Sequence, residues 1–418
     1  MQRDKPGCVP GDAAKKAFAA VSGEELLRWT MEMVAIPSYS GMPGQEEAMA
    51  KYLARLFESE GIECRIEDLG GGRFNAIARL PGTGIDAEGR TLMLNGHMDT
   101  VPAYDMPRAF EPYIKDDGLL HGRGTSDMKG PLAAMAGSLI ALKRSGVRLA
   151  GDLIYAAVAD EEEASLGTIA LLEEGLTADA VIVGEAMGRD AIGIAQKGLE
   201  WFKFIVLGKT VHGGKQDEGI NAILKANRLI RALDEELTPK LKERRHPLLG
   251  HATLNIGVIR GGTQLSTVAG ECVVEMDRRF IPGLETYESM YKELTDLVER
   301  LEREDPDFHC TLSVLDTSVM ASGYVHQGME QREDDRLVQI VKRSLESVSG
   351  RDAELVGCPC WTDAGLFGHY ARVPVVIYGP GDIAMSHSKE ECVDPAAIEE
   401  SFRVFTAAAL DFCGCAAE

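Results

Sequence analysis

The chain has no hydrophobic run of bilayer length: its apolar stretches fall well short of the roughly 18–20 residues a spanning helix needs. Its opening residues, MQRDKPGCVPGDAAKK, hold no apolar segment of the secretory kind. Together these absences predict a cytoplasmic protein with no membrane contact. Basic residues are outnumbered, with 44 Lys and Arg against 66 Asp and Glu, a formal net charge of −22. A nucleic-acid binder needs a basic footprint that displaces counterions from phosphates, so no nucleic acid is expected as a partner. The densest positive run, KLKERRH at 240–246, reads as the solvated end of a helix. An anionic substrate would need a local positive centre within this acidic surface. The nine cysteines form neither a dense framework nor a CxxC pair, so CPC at 358–360 and CGC at 413–415 read as reduced thiols. No internal repeat or low-complexity tract is present.

What the chain does have is size and alternation. Its 418 residues exceed what one core usually organises, and 45% hydrophobic residues can supply two. Residues 24–35 and 45–60 carry apolar residues at helical spacing, while CRIEDL, FNAIARL and TLMLNG read as strands. The helix PLAAMAGSLIALKRSG leads to the apolar strand DLIYAAVA, and LGTIALLEEG to DAVIVGE. Such alternation predicts an α/β domain around a largely parallel, buried sheet. The middle differs: EWFKFIVLG, a helix over 218–236, TLNIGVIRGG, VAGECVVEMDRRFIPG, a helix over 285–303 and FHCTLSVL follow a split βαβ, ferredoxin-like order. From about 333 the α/β style resumes with PVVIYG and a last helix near 394–412. The expected organisation is a discontinuous catalytic domain, 1–198 and 315–418, interrupted by an inserted α+β domain at 199–314.

Ligand sites in open parallel sheets lie at the carboxyl ends of strands. Acidic and imidazole groups recur there: His97 and Asp99 in LNGHMDTVP, Asp127 in a glycine-rich loop, Asp160 to Glu163 after DLIYAAVA, Glu185 after DAVIVG, and His387 beyond PVVIYG. Several carboxylates converging with two imidazoles repel one another unless cations hold them. Imidazole with carboxylate favours zinc, with cobalt or manganese as substitutes. Taken alone, DEEE is also the composition of a solvated face. The glycines of GRGTSD lack the third glycine of a dinucleotide loop and any following lysine–serine/threonine pair.

In LNGHMDTVP, GRGTSDMKGP, ADEEEASLGT, VGEA and MSHSKEE the chain resembles the dinuclear-zinc aminoacylase family, which includes acetylornithine deacetylase, succinyl-diaminopimelate desuccinylase, aminoacylase and glutamate-releasing carboxypeptidases. The likeness runs from VAIPSYSG at 34–41 to VD at 393–394. It implies a catalytic domain of the phosphorylase/hydrolase type and an inserted lid and dimerisation domain. It further implies two divalent metal ions, with Asp127 bridging both, His97 and Glu185 on one, and Glu162 and His387 on the other. Asp99 would take the spare N–H of His97 and fix its tautomer. Glu161 would be the general base; three consecutive glutamates leave that choice open, and the family register starting at Asp160 makes it. His212 in the inserted domain would stabilise the oxyanion from across a homodimer interface. Arg279 would bind a substrate carboxylate, and Asn221 is a further candidate for the same pocket.

The chain departs from the family pattern at Ala186 and Gln216, where prolines are usual, and at Ser266 and Ala269 in place of asparagine and proline. CWTDAGLF lacks the arginine of the desuccinylase segment, and Trp361 points to a more apolar or aromatic acyl pocket. The expected activity is hydrolysis of the amide of an N-acyl amino acid or a related small carboxylated amide. A dipeptidase or carboxypeptidase, and a non-catalytic binder of amino-acid derivatives, are the alternatives.

Overall fold

A computed structural model describes residues 11–84, 89–175, 178–315 and 318–416. Residues 1–10, within the segment read above for a secretory signal, lie outside them. The chain forms two compact units, one of residues 1–195, 330–358 and 362–418, the other of 196–329 with 359–361.

The first unit is built around the helix Gly130–Ser145. That helix is apolar on every side, so it has no face to offer to water, and every residue from Gly130 to Leu142 is buried. It packs against the helices Gly23–Val34 and Pro395–Cys413. The former opens with a capping box in which Ser22 and Glu25 each accept the other's main-chain N–H.

The sheet of this unit runs, in spatial order, Glu63–Gly70, Arg73–Leu80, Leu153–Val158, Leu92–His97, Ala180–Val183, Val375–Ile377 and Ala191–Gln196, with short strands beyond. Its four central strands are parallel, and antiparallel strands extend it on both sides. The unbroken apolar run of Leu153–Val158 is buried throughout, as a strand covered on both faces requires. Register pairs His97 with Val158 and Asn95 with Val183. The segments that follow these three strands therefore leave the sheet at one edge.

In the second unit four antiparallel strands lie in the order Thr253–Gly261, Glu271–Phe280, Gly198–Leu207, His309–Val314. This is the ferredoxin-like arrangement, and its buried face carries Phe202, Phe204, Val274 and Met276 under the helices Ala222–Ala232 and Tyr287–Glu304. The helix expected over 218–236 is shorter. Gly219 disfavours helix and Asn221 caps the regular helix that starts at Ala222, and past Ala232 the chain continues through one wide π turn, Leu233–Leu237, into the helix Thr238–Glu243. Trp361 also lies in this unit, 9% exposed. Its indole N–H donates to the Gln327 carbonyl at 2.9 Å, and His326 packs edge-on at 4.6 Å between centroids.

Placement of the acidic segment 160–163 depends on a close approach. Gly167 N donates to the Ala159 carbonyl at 3.0 Å, and Asn75 bonds both residues, at 3.0 Å to Gly167 O and 3.1 Å from Ala159 N. A Cβ on Gly167 would stand 2.4 Å from Ala159 N and 2.5 Å from Asn75 Oδ1. Gly167→Ala is predicted to lower unfolding free energy by about 1–3 kcal/mol, measured by urea denaturation; an unchanged midpoint would contradict this packing.

Candidate metal centre

His97 ends a central strand, Glu161 and Glu162 follow the neighbouring strand, and Glu185 follows the next. Asp127 is presented by a loop that opens the buried helix, and its peptide bond to Met128 is cis. His387 comes from the loop after Val375–Ile377, with a left-handed φ of 62°. The first unit thus brings together every metal ligand expected from the sequence.

The distances have a pattern. Oδ1 of Asp127 lies 3.0 Å from His97 Nε2, and Oδ2 lies 3.4 Å from His387 Nε2. His97 Nε2 is also 3.4 Å from Glu185 Oε1, and His387 Nε2 is 3.0 Å from Glu162 Oε2. Asp127 therefore turns one oxygen to each imidazole, and each imidazole has one further carboxylate of its own. Glu161 Oε2 stands 3.9 Å from His97 Nε2. His97 with Glu161 and Glu185, and His97 with Asp127 and Glu162, are close enough to share an ion. By distance alone, Glu161 is as eligible a ligand as its neighbours.

Asp99 does more than was expected of it. The short contact of His97 Nδ1, 2.9 Å, is to the main-chain oxygen of Asp99, and the nearer carboxylate oxygen is 3.6 Å away. The carboxylate instead accepts the main-chain N–H groups of Glu161 at 3.2 Å and Glu162 at 3.0 Å. One residue thus orients both a histidine and the pair of glutamates across from it.

Electrostatics show what the cluster lacks. Burial raises the proton affinity of Glu161 and Glu185, and burial together with the nearby Asp127 charge pushes Glu162 up to about 7. His387, hydrogen-bonded to Asp127 and Glu162, is pushed up to about 10. Burial opposes a charge on His97, but Glu185, Asp127 and Glu161 outweigh it and raise its proton affinity well above that of an ordinary imidazole. Asp127 is buried too, yet the two histidines keep it ionised well below the usual carboxylate range. Raised proton affinity on both imidazoles and lowered affinity on Asp127 are the signature of a carboxylate cluster short of positive charge, which divalent ions would supply. The donor set of imidazole nitrogen and carboxylate oxygen fits zinc, cobalt or manganese.

His212, Asn221 and Arg279 belong to the second unit, and each has a local partner. Exposed His212 accepts the Gly214 N–H at Nδ1, 3.1 Å. Asn221 caps the helix Ala222–Ala232, its Oδ1 accepting from Ile223 at 3.0 Å and Leu224 at 3.4 Å. Arg279 Nε donates to both carboxylate oxygens of Asp277, at 3.0 and 3.1 Å. Three buried groups of the first unit fall in segments quoted above but had no role assigned there. Glu391 binds the Asp127 loop. Asp363 accepts from Thr168 Oγ1 at 2.6 Å and is near enough to raise the proton affinity of Glu161. Lys129 donates to the Ile36 carbonyl at 2.7 Å, its ammonium pushed down to about 7 by burial.

Imidazoles and carboxylates gathered at the carboxyl edge of a parallel sheet suit a metal-dependent enzyme, and the relatives narrow the class to hydrolases of amide and peptide bonds. Within it the chain belongs to Peptidase family M20/M25/M40, which residues 93–411 match. Its relatives include an acetylornithine deacetylase of Myxococcus xanthus, 30% identical over 403 residues, 93% of this chain and 98% of that protein. An N-formyl-4-amino-5-aminomethyl-2-methylpyrimidine deformylase of Halalkalibacterium halodurans is 27% identical over 409 residues, 93% and 95% of the two chains. In fold the chain is similar to aminopeptidase PepT from Bacillus cereus, with a TM-score of 0.75 at 24% identity over 94% of this chain and 99% of that one.

The raised carboxyls give the metal-free protein a signed pH dependence. Glu162 moves from 4.5 to about 7, Asp160 from 3.8 to about 7, and Asp363 from 3.8 to about 6. Over this range the folded state binds more protons than the unfolded one, so stability falls as pH rises. The thermal midpoint of metal-stripped protein is predicted to fall between pH 4.5 and 7, and added zinc to flatten that fall. A midpoint that rises across the window would contradict the assignment.

Proposed function

We propose that this protein is a cytoplasmic, zinc-dependent deacylase that hydrolyses the amide of an N-acyl amino acid or related small carboxylated amide. The observation that carries this reading is the two-sided presentation of Asp127, one oxygen toward His97 and one toward His387. His97, Asp127 and Glu185 would hold one ion, and His387, Asp127 and Glu162 the other, with cobalt or manganese as substitutes. Such ions, when bound, polarise a carbonyl and acidify water.

The protein's own groups then divide the work. Glu161, its basicity raised by burial, takes a proton from the attacking water and passes it to the leaving nitrogen. Asp99 keeps Glu161 and Glu162 in place through their main-chain N–H groups and His97 through its own carbonyl. The partner subunit's His212 donates to the developing oxyanion. A homodimer through the second unit is supported by its outer strand Thr253–Gly261, which has one neighbour in the sheet, and by the exposed side chain of Ile259 on it. Arg279 would meet the substrate carboxylate once it releases Asp277; Asn221, the other candidate for that pocket, caps its helix near Ala269, at the opposite end of the strand Glu271–Phe280 from Arg279.

The pairing of Arg279 with Asp277 favours a second reading, in which the substrate has no carboxylate and is a formamide or other simple amide of an uncharged amine. The deformylase relative supports the same reading. Mass-spectrometric screening of N-acetyl amino acids, N-formyl aminomethyl heterocycles and dipeptides with zinc-loaded protein separates the two readings and the peptidase alternative.

Glu161→Gln is predicted to retain two metal equivalents and to lose about 10²–10⁴-fold in turnover, as removal of a general base does. Loss of one equivalent would make Glu161 a ligand, and wild-type turnover would remove it from the mechanism. A strong chelator is predicted to abolish activity, and zinc or cobalt to restore it; activity in verified metal-free protein would end the metal reading.

A further inference from the structure

Glu391 closes the MSHSKEE segment without a role assigned to it there; it is fully buried and its carboxylate is engaged at both ends. Oε1 accepts three main-chain N–H groups, from Gly124 at 2.9 Å and from Ser126 and Asp127 at 3.1 Å each. Oε2 accepts from Arg123 Nη1 at 2.5 Å, and Arg123, itself 1% exposed, donates onward from Nε to the Pro102 carbonyl at 3.2 Å. The main chain of Glu391 is tied down too, its carbonyl accepting from Gly122 N, and the following strand Cys392–Val393 pairs with Leu120–His121.

Three amides of one short loop, those of Gly124, Ser126 and Asp127, converge on one oxygen while the intervening Thr125 N–H bonds the Gly122 carbonyl, and together they form an anion-binding nest filled by the protein's own carboxylate. The nest belongs to the loop that presents Asp127. The carboxylate belongs to the segment that presents His387, four residues earlier. We propose that Glu391 is a positioning residue of the metal centre, locking the Asp127 loop to the His387 loop so that Oδ2 of Asp127 and Nε2 of His387 face one ion. His97 ends a sheet strand and has its own anchor in the Asp99 carbonyl, so the ion beside His97 and Glu185 depends on Glu391 less. This inference rests on the two-metal reading above.

The test is stepwise cobalt(II) binding to the metal-stripped full-length protein, followed by visible absorption and elemental analysis, alongside the metal-free thermal midpoint. Glu391→Gln keeps an oxygen for the three amides but turns an amide group toward Arg123. Expected are an unchanged midpoint, an unchanged first equivalent and a second equivalent weakened about 10–100-fold, the range typical of groups that orient metal ligands. Unchanged binding of both equivalents would overturn the proposal. So would equal weakening of both together with a lowered midpoint, which is the pattern of a purely structural residue. If Glu391→Gln does not fold, Arg123→Gln, which leaves the Oε1 bonds intact, is read by the same criteria. Wild-type protein that binds fewer than two equivalents would remove the metal reading itself, and this inference with it.

Discussion

Mutual repulsion among buried carboxylates is the constraint on which the first unit's architecture depends. Asp99, Asp127, Glu161, Glu162 and Glu185 meet at one sheet edge with two imidazoles as the countercharge. Charges so placed would separate or neutralise unless something other than mutual attraction kept them there. That something is largely main chain. Amides of Glu161 and Glu162 point at Asp99, and those of Gly124, Ser126 and Asp127 point at Glu391. Because peptide groups cannot swing away without unmaking the loop that bears them, the cluster keeps its geometry while its protonation changes.

The same logic recurs further from the cluster. Arg73, almost fully buried, binds Glu46 and Asp160 and lies 3.4 Å from Glu163, so the acidic segment carries a guanidinium at its back. Positive charge is thus spent on the scaffold of the site rather than at its opening. With a surface of net charge −22, an anionic substrate would be drawn chiefly by the ions themselves. Arg279 adds little to that pull while Asp277 holds it, and the charge of a substrate's far end is where the two readings of the function diverge.

How much was legible in the sequence follows from what leaves a mark there. The cluster of imidazoles and carboxylates was legible because such groups at the ends of apolar runs are chemically conspicuous, and five short segments in order carried the family resemblance. The parallel centre of the sheet was legible in unbroken apolar runs such as DLIYAAVA. Ala191–Gln196, whose AIGIAQ is interrupted by glycine, was not, and neither were the two-residue strands beside the Asp127 loop. Glu391 was invisible for a physical reason: its partners are peptide N–H groups, which every sequence has, and its neighbour Glu390 is exposed and has the same side chain. Asn221 was conspicuous as a polar residue near a lid but sits where asparagine commonly does, at the start of a helix.

The two halves of the centre are unequal in rigidity. His97 is 1% exposed, sits at the end of a strand with neighbours on both sides, and has its ring fixed by a main-chain carbonyl. The side chain of His387 is 52% exposed and hangs from a loop whose backbone is in the left-handed region that non-glycine residues rarely adopt. Such a conformation persists only where its surroundings impose it. Here the restraints are the turn bonds on either side of His387, from Ser386 N to Ile383 O and from Ser388 N to Met385 O at 3.2 Å each, and the paired segment that begins at Glu391. An ion beside His97 would therefore enter a site already shaped by the sheet, whereas one beside His387 would enter a site whose shape depends on a loop and on the clamp that ties it to Asp127. A difference in affinity between the two positions then follows from where the chain puts its hydrogen bonds, even though the donor atoms on the two sides are the same: one imidazole, one glutamate and one oxygen of a shared aspartate.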